Sequence, residues 1–190
     1  MKKIYIILAI LALLLVGFFL FKGDKIVEVN GNGYLNATYK IDGQDVRLTN
    51  GKSEKESAPE KKKKIITQYF GNEVKSDLDD DGREDIAFIL TQQTGGSGTF
   101  YYFVAALNKE EGFKGSDAVL LGDRIAPQST NMGKGNIIVV NYADRKSGES
   151  FAVSPSEGKS MWLLLDPKTM QFGEVAQNFE GEADPGVMNL

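Results

Sequence analysis

Residues 99–107 limit the fold more than any other part of the chain. Read as a strand, this segment places Phe100, Tyr102 and Val104 on one face and Tyr101, Phe103 and Ala105 on the other. Successive side chains of a strand point to opposite faces, so a strand apolar on both has to be covered on both. The segment therefore predicts a central strand with a layer above it and a layer below. Residues 84–91 repeat the pattern, with Ile86, Phe88 and Leu90 against Ala87 and Ile89.

Short apolar or β-branched runs continue at 65–74, 118–121, 124–129, 137–142, 161–165 and 171–175. Gly95-Gly96-Ser97-Gly98, Gly133-Lys134-Gly135, Ser147-Gly148 and Asp166-Pro167 punctuate them. Many short strands divided by glycine-rich turns predict a mainly β fold, an antiparallel β-sandwich or a partly open barrel. Upstream, Asp42-Gly43 lies between short alternating runs at 34–41 and 44–48, the signature of a type I′ hairpin. Residues 53–64 are charged, carry Pro59 and end in four lysines, so they read as an exposed linker. The tail, 177–190, is acidic and without period, and reads as loosely ordered. The expected organisation is an anchor at 1–25, a stalk, hairpin and linker at 26–64, a β-rich domain at 65–176, and the tail.

Residues 4–21 carry no charge and lie between Lys2-Lys3 and Lys22. As a helix, 18 apolar residues span ~27 Å, close to the ~30 Å hydrocarbon core of a bilayer. The run ends Gly17-Phe18-Phe19-Leu20-Phe21, without the small residues of a signal-peptidase site. One N-terminal transmembrane helix is expected, its partner being the lipid bilayer. The short N-terminus would lie in the cytoplasm and the C-terminal domain outside, which predicts a single-pass protein of a bacterial cytoplasmic membrane. Without residues 1–25 the net charge moves from −4 to −7. An acidic exported domain argues against nucleic acid as a partner.

The sequence holds no cysteine and no histidine. Disulfides, thiol nucleophiles, lipidation at a cysteine, Ser-His-Asp triads and zinc sites built on His or Cys are thereby removed. Oxygen chemistry remains for metals, and one segment supplies it: Asp77-Leu78-Asp79-Asp80-Asp81-Gly82-Arg83-Glu84-Asp85. Asp77, Asp79, Asp81 and Asp85 offer carboxylates at intervals that converge on one cation, Gly82 permits a sharp turn, and the carbonyl of Arg83 adds an oxygen. Calcium accepts such an irregular cage of oxygens more readily than magnesium. The twelfth position is Phe88 where an EF-hand needs Glu, so the segment resembles instead the short D-x-D-x-D-G-x-x-D calcium loops between strands of extracellular β proteins. Its expected role is to clamp the turn between two core strands.

Other candidates are weaker. Gly95-Gly96-Ser97-Gly98-Thr99 has a serine in a glycine-rich turn but no histidine to activate it. Ser156 and Lys159 match S-x-x-K by spacing, yet follow Pro155 with Gly158 between them. Asp123-Arg124 and Asp144-Arg145 read as surface charge pairs.

Five stretches taken together carry a family likeness: Tyr69-Phe70-Gly71-Asn72-Glu73; the loop 77–85; 95–102; 120–128; and Val139-Val140-Asn141-Tyr142-Ala143-Asp144-Arg145. Over roughly residues 36–180 the chain resembles the LppP/LprE lipoprotein family of bacterial envelope domains, and similar domains occur upstream of META domains. The resemblance implies an exported bacterial β domain and assigns no reaction. Unlike those lipoproteins the chain has no lipobox cysteine, so the helix would serve as anchor. The expected function is a non-enzymatic envelope module that binds a protein, glycan or cell-wall component. The alternatives are a carboxylate-dependent envelope hydrolase using Glu73 or Asp144, and an inhibitor that inserts the loop 95–99 into the cleft of a cell-wall hydrolase.

Overall fold

A computed structural model describes residues 33–57, 63–177 and 183–189. The membrane span expected at 4–21 lies outside the described residues. No described helix is long and apolar enough to cross a membrane. The described residues open with a 3₁₀ turn, Gly33–Asn36, then form β1 (Thr38–Ile41), β2 (Gln44–Arg47), β3 (Lys52–Glu56), β4 (Lys64–Ser76), β5 (Asp85–Gln93), β6 (Phe100–Lys109) and β7 (Gly112–Gly115). There follow β8 (Val119–Asp123), β9 (Ala126–Met132), a second 3₁₀ turn at Lys134–Asn136, β10 (Ile138–Asp144), β11 (Glu157–Asp166), β12 (Gln171–Gln177) and β13 (Ala183–Asn189).

The strands form two open sheets and a hairpin. One sheet runs β3-β4-β5-β6-β7, with β8 also paired to β6; the second runs β13-β12-β11-β10-β9. Neither closes into a barrel, which leaves the partly open barrel without support. All paired strands are antiparallel, and the hairpin β1–β2 stands apart.

The two apolar faces of β5 and β6 explain the layering. Ala87, Ile89, Phe103, Ala105 and Leu107 pack with Ile138, Val140, Leu163 and Leu165 of the second sheet. On the other face Ile86, Phe88, Leu90, Tyr102, Val104 and Ala106 meet Tyr34, Tyr39, Ile41 and Leu48 from the hairpin segment. The two-sided burial expected of residues 99–107 is thus observed, with each residue on its expected face. Phe88 is the hub of the second core, its ring 5.3 Å from Tyr34, 5.6 Å from Tyr39 and 5.3 Å from Tyr69. Emptying such a site costs about 3–5 kcal/mol, so Phe88→Ala would remove much of the stability of a domain this size.

Local chemistry places the hairpin. Asp42 and Gly43 both have positive φ, 49° and 74°, as a type I′ turn requires. Strand β7 passes so close beneath β1 that a Cβ on Gly115 would lie 2.3 Å from the Thr38 carbonyl oxygen. Only glycine allows that approach.

Three expectations are corrected. Residues 34–48, expected as a hairpin outside the β-rich domain 65–176, belong to its core, because Tyr39 and Leu48 are fully buried there. Lys52–Glu56, expected within a linker, is an edge strand paired to β4 over Lys52↔Gln68 to Glu56↔Lys64. Its charges stay in water on both faces, and an edge strand needs only one partner. Ala183–Asn189, expected as loose tail, pairs with β12. A backbone ladder needs no apolar period, so that strand left no mark in the hydrophobic pattern.

Candidate metal centre

The acidic segment connects β4 to β5 at the rim of the first core, where Leu78 is buried and pins the loop. Asp80 and Gly82 turn the chain with φ of 58° and 83°. Inside the turn the two carboxylate oxygens of Asp77 accept from the backbone N–H of Asp81 at 3.0 Å and of Gly82 at 2.7 Å. Asp85 is the first residue of β5 and fully buried. Its oxygens accept from the N–H of Leu78 at 2.8 Å and of Asn108 at 2.7 Å, so it latches the loop to the end of β6. Burial raises its pKa despite those two donors.

Asp77, Asp79 and Asp85 each present a carboxylate oxygen, and these lie within 4.8 Å of one another. That separation is about twice a calcium–oxygen bond. One cation set among them can touch all three. Asp79 is the decisive member: its side chain is only 4% exposed, and its Oδ1 is buried with no hydrogen-bond partner. A buried charged oxygen left unsatisfied is costly, and native proteins rarely tolerate one without a bound ion or water.

Asp81 faces cations of the chain itself. It accepts from Arg83 Nη2 at 2.7 Å and from Lys109 Nζ at 2.9 Å. The Lys109 ammonium, with help from Arg83, holds its carboxyl well below the ordinary range, at about 2. The Arg83 side chain also donates from Nε to the Asn108 carbonyl at 2.7 Å, a second tie to β6. Lys109 further donates to Oδ2 of Asp79.

Of the five residues expected at the site, the structure brings together the carboxylates of Asp77, Asp79 and Asp85, and turns Asp81 toward Arg83 and Lys109. Lys109 and Asn108 are additions that sequence reasoning missed. A signal existed. The β5–β6 pairing Ile86↔Ala106, continued outward by three residues, sets Arg83 opposite Lys109.

The remaining candidates are engaged elsewhere. Glu73 is exposed and accepts from the hydroxyls of Tyr69 at 2.6 Å and Tyr34 at 3.4 Å. Asp144 accepts from Lys159 Nζ at 2.8 Å, and that ammonium lowers its pKa, the opposite of what a general acid needs. Lys159 is thereby paired, so Ser156 gains no base from it. Ser97 is exposed in a bend. A groove of about 400 Å³ opens between β2 and strands β3–β5. Its wall combines the apolar Ile41, Val46 and Ile65 with Asp45, Arg47, Glu54, Lys55 and a buried Thr67–Gln92 hydrogen bond of 3.1 Å.

No family model, no curated protein and no solved structure matches this chain.

Proposed function

We propose that the chain is a membrane-anchored, extracytoplasmic β-sandwich module of the bacterial envelope, stabilised by calcium in the loop 77–85. The observation that carries the ion is the buried, unpartnered Oδ1 of Asp79, on a carboxylate that clusters within 4.8 Å of those of Asp77 and Asp85. Asp77, Asp79 and Asp85 would hold the cation, with the Arg83 carbonyl and Asp81 as further oxygen sources. When bound, the ion would supply the positive charge that the clustered carboxylates lack and clamp β4 to β5. The apolar segment 4–21 and the acidic balance beyond it support the location.

Binding, not catalysis, is the activity proposed, directed at an envelope protein or glycan. The groove beside β2 is within the ~300–1,000 Å³ range of ligand sites, and polar side chains on its wall suit a hydroxyl- or amide-rich partner.

The test is calorimetric titration of the full chain in detergent micelles with calcium, with Asp79→Ala/Asp81→Ala as control. Saturable binding that the double variant loses is the expected result. Absence of heat at millimolar calcium would reduce the loop to a hydrogen-bonded acidic turn.

A further inference from the structure

The acidic loop is served by a charge from another strand. Lys109 is the last residue of β6, and its Nζ lies between Asp79 and Asp81. We propose that Lys109 is a tethered competitor for the loop's cation: its ammonium and a divalent ion hold Asp79 in mutually exclusive states, so the lysine sets the affinity of the site. This rests on reading residues 77–85 as a cation site.

Three observations support the exchange. Of the three clustered carboxylates, Asp79 is the one that pairs with Lys109: its Oδ2 takes the ammonium while its Oδ1 is buried and unpartnered. A dication coordinated by Asp79 would sit close to that ammonium, and like charges a few ångströms apart in a half-buried loop repel strongly. The lysine also has somewhere to go: its side chain is 35% exposed against 4% for Asp79. Its departure strands no other group, because Asp81 keeps Arg83 as partner at 2.7 Å. Withdrawal into water therefore costs the protein two ion pairs, and the incoming ion replaces the one to Asp79 while Arg83 stays on Asp81.

The exchange also confers selectivity. A monovalent ion brings no more charge than the ammonium it displaces, and it lacks the covalent tether that keeps the lysine at high local concentration. A divalent ion brings twice the charge to three carboxylates. The site so built rejects sodium and potassium and responds to calcium.

The experiment compares calcium titrations of the full chain in detergent micelles for the native protein, Lys109→Met and Lys109→Arg. Lys109→Met should bind at least about tenfold tighter, and Lys109→Arg should stay near the native value. A second readout needs no variant: acylation of the native protein by an N-hydroxysuccinimide ester, mapped by peptide mass spectrometry. Calcium should raise the rate at Lys109 several-fold while leaving Lys159, paired to Asp144, unchanged. Equal or weaker calcium binding by Lys109→Met overturns the proposal, as does unchanged acylation of Lys109. If native protein and Lys109→Met both bind with one affinity, the cation site stands and the competitor falls. If neither binds, both fall together.

Discussion

Two clusters of charge on this domain differ in construction. The loop 77–85 holds six carboxylates and one arginine in nine residues. The corner formed by β8, β10 and β11 holds Asp123, Arg124, Asp144, Arg145 and Lys159. In the corner each carboxylate has its own cation: Arg124 Nη2 lies 2.8 Å from Asp123, and Lys159 Nζ lies 2.8 Å from Asp144. The two guanidinium groups flank the exposed Phe151 ring, with Cζ of Arg124 at 3.7 Å and of Arg145 at 5.4 Å from its centroid. Such a corner is closed and asks for nothing. The loop, by contrast, borrows Lys109 from β6 and still leaves a buried oxygen without a partner. Charge density alone does not mark a site; unsatisfied, buried charge does.

The contrast is open to direct attack. Asp85→Ala should lose about 3–5 kcal/mol in urea unfolding, because two buried backbone donors are orphaned. Asp144→Ala, from a half-exposed pair, should lose about 1 kcal/mol or less. Equal losses would erase the distinction. Calcium at a hundredfold excess over its Kd should stabilise the native protein by about 2.7 kcal/mol in thermal melts against EDTA. Asp79→Ala should abolish that increment, whereas Asp123→Ala should keep it whole. Phe151→Ala should cost about 0.5–1 kcal/mol, identically with and without calcium.

Acid titration gives the smallest effect and separates the clusters by sign. Arg124 and Lys159 hold Asp123 and Asp144 below their ordinary values. Their pairing therefore stabilises the fold above about pH 4 and is lost as the pH falls further. Burial raises Asp85, so its contribution runs the other way: it grows as the pH falls from that raised pKa toward about 4, above the range in which the two pairs are lost. Asp144→Asn should make the acid limb of the melting curve shallower by less than about 0.5 kcal/mol. A steeper limb would contradict the assignment.

Much of this architecture was legible because it rests on side-chain alternation. Residues 84–91 and 99–107 declared both faces of the central sheet, and Asp42-Gly43 declared its turn through backbone geometry that few residue pairs adopt. Lys52–Glu56 and Ala183–Asn189 were missed because their pairing is made by backbone groups, with no apolar face to advertise it. Tyr34 was read as strand, yet it lies in a 3₁₀ turn that carries its ring onto Phe88. At the site, spacing identified the carboxylates that the loop itself brings together. It could not say that Asp81 would turn to cations of the chain, since Lys109 arrives through the register of a neighbouring strand.

The attachment of β1 has a mechanical consequence. The described chain enters at Gly33, and the first groups to bear a pull on that end are Tyr34, packed beneath Phe88, and its carbonyl, which accepts from the Tyr39 hydroxyl at 2.7 Å. Next in line are the carbonyls of Leu35 and Ala37, accepting from Gly51 N–H at 2.7 Å and Leu48 N–H at 3.0 Å, and then the parallel bridge Lys40↔Asp117, closed by Lys40 N–H to Ser116 at 3.1 Å and Ala118 N–H to Lys40 at 2.8 Å. Bonds bridging parallel segments are loaded together in shear, whereas a hairpin pulled open at its ends yields one bond at a time. Tension from the N-terminal side thus meets, at the parallel bridge, bonds that share the load.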